Sequence, residues 1–199
     1  ISSNPVLCYP TTAAGACMTS HAVCWDGKKK LSIKTHIPKD VKVVPEYVEN
    51  LPDAVIEYTT YDAISHCLDS LWSTDSTHRS RSLAHEALAI LSEQHSNVDL
   101  IKAGNLAGQA IEVCPTTILH SLSYPLTAFY DIPHGKALGF LLPRICKHYD
   151  FTLNNLIHHK PVELNNIDWD LIINEALKYE KIYKTEMTIN YKILKKIFI

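Results

Sequence analysis

Glycine is scarce in this sequence: six in 199 residues, none arranged as GxG or GGG. A glycine-rich pyrophosphate cradle is therefore not encoded here. No CxxC pair occurs either. The six cysteines (Cys8, Cys17, Cys24, Cys67, Cys114 and Cys146) are scattered and are read as reduced, structural thiols of a cytoplasmic protein. Basic residues are not in excess, with 19 Lys and Arg against 21 Asp and Glu, so nucleic acid is not an expected partner. No uninterrupted apolar run reaches membrane-spanning length, so a membrane is not expected either. The opening residues, ISSNPVLCYP, lack the charged and apolar regions of a signal peptide. They also lack a starting methionine, and the chain is expected to be a fragment.

What is present is ordinary for a soluble globular chain: 46% hydrophobic, 20% charged and a formal net charge of −2. The length suits one good core or two small lobes. The first part reads as short extended pieces: Pro5–Pro10, His21–Trp25 closed by the Asp26-Gly27 turn signal, Leu31–Ile37 and Val41–Val44. From Pro45 helical periodicity takes over, giving an α+β, mainly α chain with a boundary between residues 1–44 and 45–199. Helices are expected over Pro52–Tyr58, Tyr61–Trp72, Arg79–His95, Val98–Val113, Leu119–Leu126 (interrupted by Pro125), His134–Tyr149 and Asp168–Tyr183. Ala103, Gly104, Ala107 and Gly108 leave one side of the fourth helix nearly bare, as a close helix–helix approach requires. The final YKILKKIFI is too apolar to hang free and is expected to have lost a partner segment.

The chemistry concentrates in two places. Asp62 and His66 stand at i and i+4, on one helical face about one turn apart. His120 and His134 follow, fourteen positions apart. Three imidazoles and a carboxylate suit a divalent first-row ion, Fe²⁺ or Zn²⁺, rather than calcium. Spacing alone leaves a second reading open, with Asp62 as a helix N-terminal acid and the histidines as surface or satisfied core residues. His21, His36, His78, His85, His95, His148, His158 and His159 show no such constellation and are read as surface residues.

The segments TYDAISHCLDSLWS, AGNLAGQAI and HSLSYPLTAFYDIPHGKALGFLLPRI resemble the metal-binding half of the iron-containing (group III) alcohol dehydrogenases. The likeness runs in order from about Pro5 to Asn155. Within that family, AVCWD, DSLWS and HSLSYPLT look most like phosphonoacetaldehyde reductases. The resemblance implies a dehydroquinate synthase-like architecture: the end of an α/β nucleotide-binding lobe in residues 1–44, then an all-helical metal-binding lobe. It implies that Asp62, His66, His120 and His134 hold the metal, and that Thr11, Thr12 and Lys30 lie along NADH or NADPH. Outside the resemblance, Thr11 and Thr12 are read as an ordinary polar turn and Lys30 as a solvated charge in the KKK run. Two features depart from the family. AAGACMTS follows Pro10-Thr11-Thr12 where a turn rich in Gly, Thr, Ser and Glu is usual, and Tyr61 replaces the glycine before the Asp.

The activity implied is an aldehyde reductase converting phosphonoacetaldehyde to 2-hydroxyethylphosphonate. A generic iron-type dehydrogenase of short uncharged alcohols, or a truncated metal-binding remnant without turnover, are the alternatives. The partners implied are a small aldehyde or alcohol and, by family expectation, a second copy in a homodimer. Tyr124 stands one helix turn past His120, where most members carry a second histidine, and is the candidate catalytic proton donor; a packed aromatic is the alternative. Lys136, near the start of a helix two positions after His134, is the candidate for a phosphonate, with Arg144 and Lys147 behind it.

Overall fold

The computed structural model describes residues 6–93, 96–153, 156 and 162–199. Four short strands precede seven α-helices among them. Strand β1 (Leu7–Cys8) pairs in parallel with β4 (Asp40–Val41). Strands β2 (His21–Asp26) and β3 (Lys29–Lys34) form an antiparallel hairpin. Its turn is made where Asp26-Gly27 predicts it, with Gly27 at φ 56°, a left-handed conformation that suits glycine.

The helices are α1 (Asp53–Trp72), α2 (His78–Leu91), α3 (Asn97–Val113), α4 (Ile118–Tyr130), α5 (His134–His148), α6 (Trp169–Ala176) and α7 (Tyr191–Phe198). Four helices differ in extent from the sequence expectation, one being α2, which ends at Leu91 rather than His95. The two short helices expected around residues 52–72 are one continuous helix. Helix α4 runs through Pro125 to Tyr130, although the proline removes one backbone donor from its interior. The last expected helix stops at Ala176, and a separate 3₁₀ turn covers Glu180–Tyr183. Helix α7 buries Leu194 and stacks Phe198 on Trp169 of α6 at 4.7 Å, so the apolar terminus packs within the chain and has not lost its partner as the sequence suggests.

One apolar cluster joins α1 through α7, with Ile64, Leu68, Leu91, Leu119, Leu122, Leu138 and Leu141 fully buried. Each such side chain contributes about 1.5–3 kcal/mol relative to exposure in water. Tyr61 is among the buried residues: its hydroxyl donates to Glu57 Oε1 at 2.8 Å, and its ring lies where a Cβ on Gly139 would come within 2.5 Å. Gly139 thus makes room for the aromatic ring that replaces the usual glycine.

The small-residue side of α3 is divided: Ala103 and Ala107 join the core shared with the neighbouring helices, while Gly104 and Gly108 receive a loop. A Cβ on Gly104 would meet the Ala13 carbonyl at 1.9 Å, and one on Gly108 the Gly15 carbonyl at 2.0 Å. Ser20 completes the seam by donating through N–H and O–H to the Glu112 carboxylate, both at 2.7 Å. This loop follows Thr11 and Thr12 and fixes the base of the hairpin against the helices. All six cysteines are thiols.

Candidate metal centre

Asp62 and His66 come from the middle of α1, His120 from the first turn of α4 and His134 from the first residue of α5. The link between the last two is short for a local reason. Asp131 takes a left-handed conformation (φ 52°) at the end of α4, and Pro133 with its fixed φ leads into α5. His134 is thereby turned back onto α1. The Nε2 atoms of His120, His66 and His134 lie 3.2, 3.4 and 3.6 Å from the single oxygen Asp62 Oδ1. Two ligands about 2.0–2.1 Å from a tetrahedral ion stand roughly 3.3 Å apart, so the spacing suits one metal.

Asp62, His120 and His134 form a group whose ligand atoms all lie within 4.8 Å of one another. His66 is outside that group, although its ring stacks on His120 at 4.6 Å with planes 9° apart. The protonation states also fit a divalent ion, which needs neutral imidazoles and an ionised carboxylate. Burial pushes His66 down to about 3 against the opposing pull of Asp62, and it lowers His134 as well. Burial would raise Asp62, but the charge of His66 and hydrogen bonds from His120 and His134 outweigh it and hold the carboxyl well below its usual range.

A second carboxylate, absent from the sequence reading, supports the first set. Asp69 is fully buried and its Oδ2 lies 2.8 Å from His120 Nδ1, which directs Nε2 of the same ring toward Asp62. Asp69 also accepts from the backbone N–H of Leu119 (3.0 Å) and His120 (3.2 Å) and from the Thr117 hydroxyl (3.0 Å). A carboxylate of α1 thus caps the N-terminus of α4, where unpaired N–H groups favour negative charge. Seven positions after Asp62, Asp69 shares its helical face, and that periodicity was its only signal.

Tyr124 adjoins the imidazoles. Its ring stacks near His134 at 6.0 Å and meets His120 edge-on at 6.3 Å. Burial raises its pKa, so the phenol stays protonated. Lys30, reaching in from β3, sets its ammonium 3.6 Å from the centre of the Tyr124 ring. Lys181 donates to the Tyr124 hydroxyl at 2.8 Å and to the Thr116 hydroxyl at 2.6 Å. Neither Lys181 nor Thr116 was singled out from the sequence. A cleft of about 360 Å³ opens beside this cluster, between the hairpin turn and α4, lined by Lys28, Pro125, Phe129 and Tyr179.

The remaining candidates are dispersed. Thr11 is exposed and Thr12 partly buried in the loop seated on α3, and no hydrogen bond ties either to the centre among the described residues. Lys136 is partly buried in the first turn of α5. The Arg144 guanidinium is engaged by the Phe140 carbonyl (2.9 Å), the Phe140 ring and Glu163, and Lys147 is exposed. His21, His36, His78 and His85 are exposed as expected. His148 is only partly exposed: its Nε2 is buried with no hydrogen-bond partner among the described residues. His95, His158 and His159 lie outside the described residues.

Helical lobe, ligand spacing and connectivity define a class, and comparison with known proteins gives the same one. Residues 56–167, more than half of the chain, match the family described as "Fe-containing alcohol dehydrogenase family, C-terminal". The chain belongs to that family. It is 27% identical over 165 residues to lactaldehyde reductase of Escherichia coli K12, an alignment covering 75% of this chain and 43% of that protein. It is 30% identical over 159 residues to phosphonoacetaldehyde reductase of Streptomyces viridochromogenes, covering 72% and 40%. The iron-containing alcohol dehydrogenase of Thermotoga maritima superposes with a TM-score of 0.82 at 25% identity, over 98% of this chain and 62% of that one. Sulfoacetaldehyde reductase of Bifidobacterium kashiwanohense shares the fold, with a TM-score of 0.84 at 20% identity over 98% and 64%. The chain thus spans about two fifths of the length of the two reductases matched by sequence. No described helix is long and apolar enough to cross a membrane.

Proposed function

We propose that the protein is a metal-dependent NAD(P)H alcohol dehydrogenase acting as an aldehyde reductase, with phosphonoacetaldehyde as substrate and 2-hydroxyethylphosphonate as product. The convergence of Asp62, His120 and His134 on one point, with His66 alongside, carries this reading. These residues would hold Fe²⁺ or Zn²⁺, which supplies Lewis-acid polarisation of the carbonyl while the nicotinamide supplies hydride. Asp62 contributes the negative charge of the donor set, and Asp69 holds His120 in the tautomer that presents Nε2. The Tyr124 hydroxyl accepts from Lys181 and keeps its own O–H, so it can give a proton to the oxygen of the product. Residues 1–44 serve as the end of a nucleotide-binding domain, bringing Thr11, Thr12 and Lys30 toward the dinucleotide. Lys136, in the first turn of α5, adds positive charge for the phosphonate.

The test is metal analysis and turnover of the complete protein. One bound Fe²⁺ or Zn²⁺ and NAD(P)H-dependent reduction of phosphonoacetaldehyde in preference to butanal are expected. Preference for butanal would leave a generic dehydrogenase, and metal uptake without reduction of either aldehyde would leave a binding module.

A further inference from the structure

Lysines at 178, 181 and 184 follow one another along the segment after α6, and they meet different fates. Lys178 pairs with Glu175 and Lys184 with Asp75 at the surface. Lys181 turns inward because the segment is not a continuous helix. The 3₁₀ turn Glu180–Tyr183 buries Ile182 fully and is closed by the Ile182 N–H on the Tyr179 carbonyl (3.0 Å). That turn aims the Lys181 ammonium at Thr116 and Tyr124.

An ammonium has three donors, and these two hydroxyls account for two of them. No carboxylate lies within ion-pair distance of Lys181 or of Lys30 among the described residues. Asp69, the acid whose field reaches Lys181, has its oxygens taken by His120, Thr117 and Leu119. Two ammonium groups therefore address one tyrosine ring, Lys30 at 3.6 Å and Lys181 at 4.6 Å from its centre, with Asp62 and Asp69 acting on them only from beyond ion-pair distance. Sequestered like charges are unfavourable unless something anionic joins them. A ring's width away stand the imidazoles of His120 and His134.

We propose that Lys181, with the hydroxyl of Thr116 and the field of Lys30, anchors a tetrahedral oxyanion carried by the substrate, leaving the Tyr124 O–H for the carbonyl oxygen. The substrate class is then a short aldehyde bearing a phosphonate or sulfonate close to its carbonyl. This deepens the reductase reading and rests on it, moving the principal anion contact from Lys136 to a residue on another element.

The test titrates methylphosphonate and methanesulfonate into the complete protein after removal of metal, by calorimetry, so that it is independent of turnover. The wild type is expected to bind at least one of them, and the stronger of the two identifies the headgroup. Lys181→Met and Lys181→Gln should weaken binding by about tenfold or more, as loss of a charge-assisted contact does, while Lys181→Arg retains most of it. Circular dichroism melts confirm that each variant is folded, and the Gln variant keeps a donor to Thr116 should the Met variant unfold. In turnover, Lys181→Gln should raise KM for phosphonoacetaldehyde at least about tenfold more than for butanal, since any loss through Tyr124 falls on both aldehydes alike. A wild type that binds neither probe, folded Lys181 variants that bind as the wild type does, or loss confined to Lys136→Ala would overturn the proposal. Failure of metal uptake or of all aldehyde reduction would instead sink the reductase reading, with the titration still deciding the anion site.

Discussion

The Nδ1 atom of His120 lies 2.8 Å from Oδ2 of Asp69, and the same carboxylate caps the helix that carries His120. One buried acid on α1 therefore sets both the orientation of the imidazole and the position of α4. Support of the candidate ligand set and folding of the lobe run through a single side chain.

Replacing Asp69 should separate these two roles. Asp69→Asn keeps the shape and a partial cap, and metal affinity should fall by about 10–100-fold, the usual effect of losing an outer partner of a ligating histidine. Asp69→Ala leaves buried donors unpaired and should also lower stability by about 3–5 kcal/mol. Competitive chelator titration and denaturant melts read the two effects. An Asn variant with native metal affinity would show that His120 needs no such support.

Zinc added to the metal-free protein should raise its melting temperature. At a concentration of about 100 Kd the linkage amounts to about 2.7 kcal/mol. Asp62→Ala, His120→Ala and His134→Ala should abolish the shift. His66→Ala decides whether the stacked imidazole is a fourth ligand. A diminished shift makes it one, and an undiminished shift confines the set to the three residues that lie mutually close.

Gly104→Ala and Gly108→Ala should each destabilise the protein by about 1–3 kcal/mol, the range for overpacking a tight contact. The added methyls would collide with the backbone carbonyls of Ala13 and Gly15, which have no side-chain freedom with which to yield. Urea melts measure the loss. Helix propensity alone predicts the opposite sign, since alanine is the better helix former.

Oxyanion affinity should depend on pH. Burial, aided by Lys30 and opposed by Asp69, pushes Lys181 down to about 7, while Lys30 itself is pushed down to about 8 by burial against the pull of Asp62. Tyr124 and Tyr179, which also face this cluster, are raised by burial and stay neutral. A lowered lysine pKa means that the cation is lost as the pH rises. Methanesulfonate keeps one charge throughout, so its affinity should fall by up to about tenfold per unit above pH 7. A flat profile between about pH 6 and 9 would contradict the assignment of the cation.

Much of the helical half was legible because amphipathic periodicity and caps are local properties. The Asp62–His66 pair on α1 and the strand–turn–strand around Gly27 fall where those rules put them. Tyr61 looked like a departure from the family and proved to be matched by Gly139, a partner 78 positions away that no local pattern connects to it.

The residues alone determined which donors exist, that two share a helical face, and that the lobe is built of amphipathic helices. They also determined that no glycine-rich phosphate cradle lies within these 199 positions. Only the tertiary structure decided that the glycines on the small-residue side of α3 seat a loop, that Asp69 orients His120, and that a break after Ala176 sends Lys181 inward. Contacts between distant segments depend on how whole helices pack, and no spacing within one helix encodes which side chain another will bring against it.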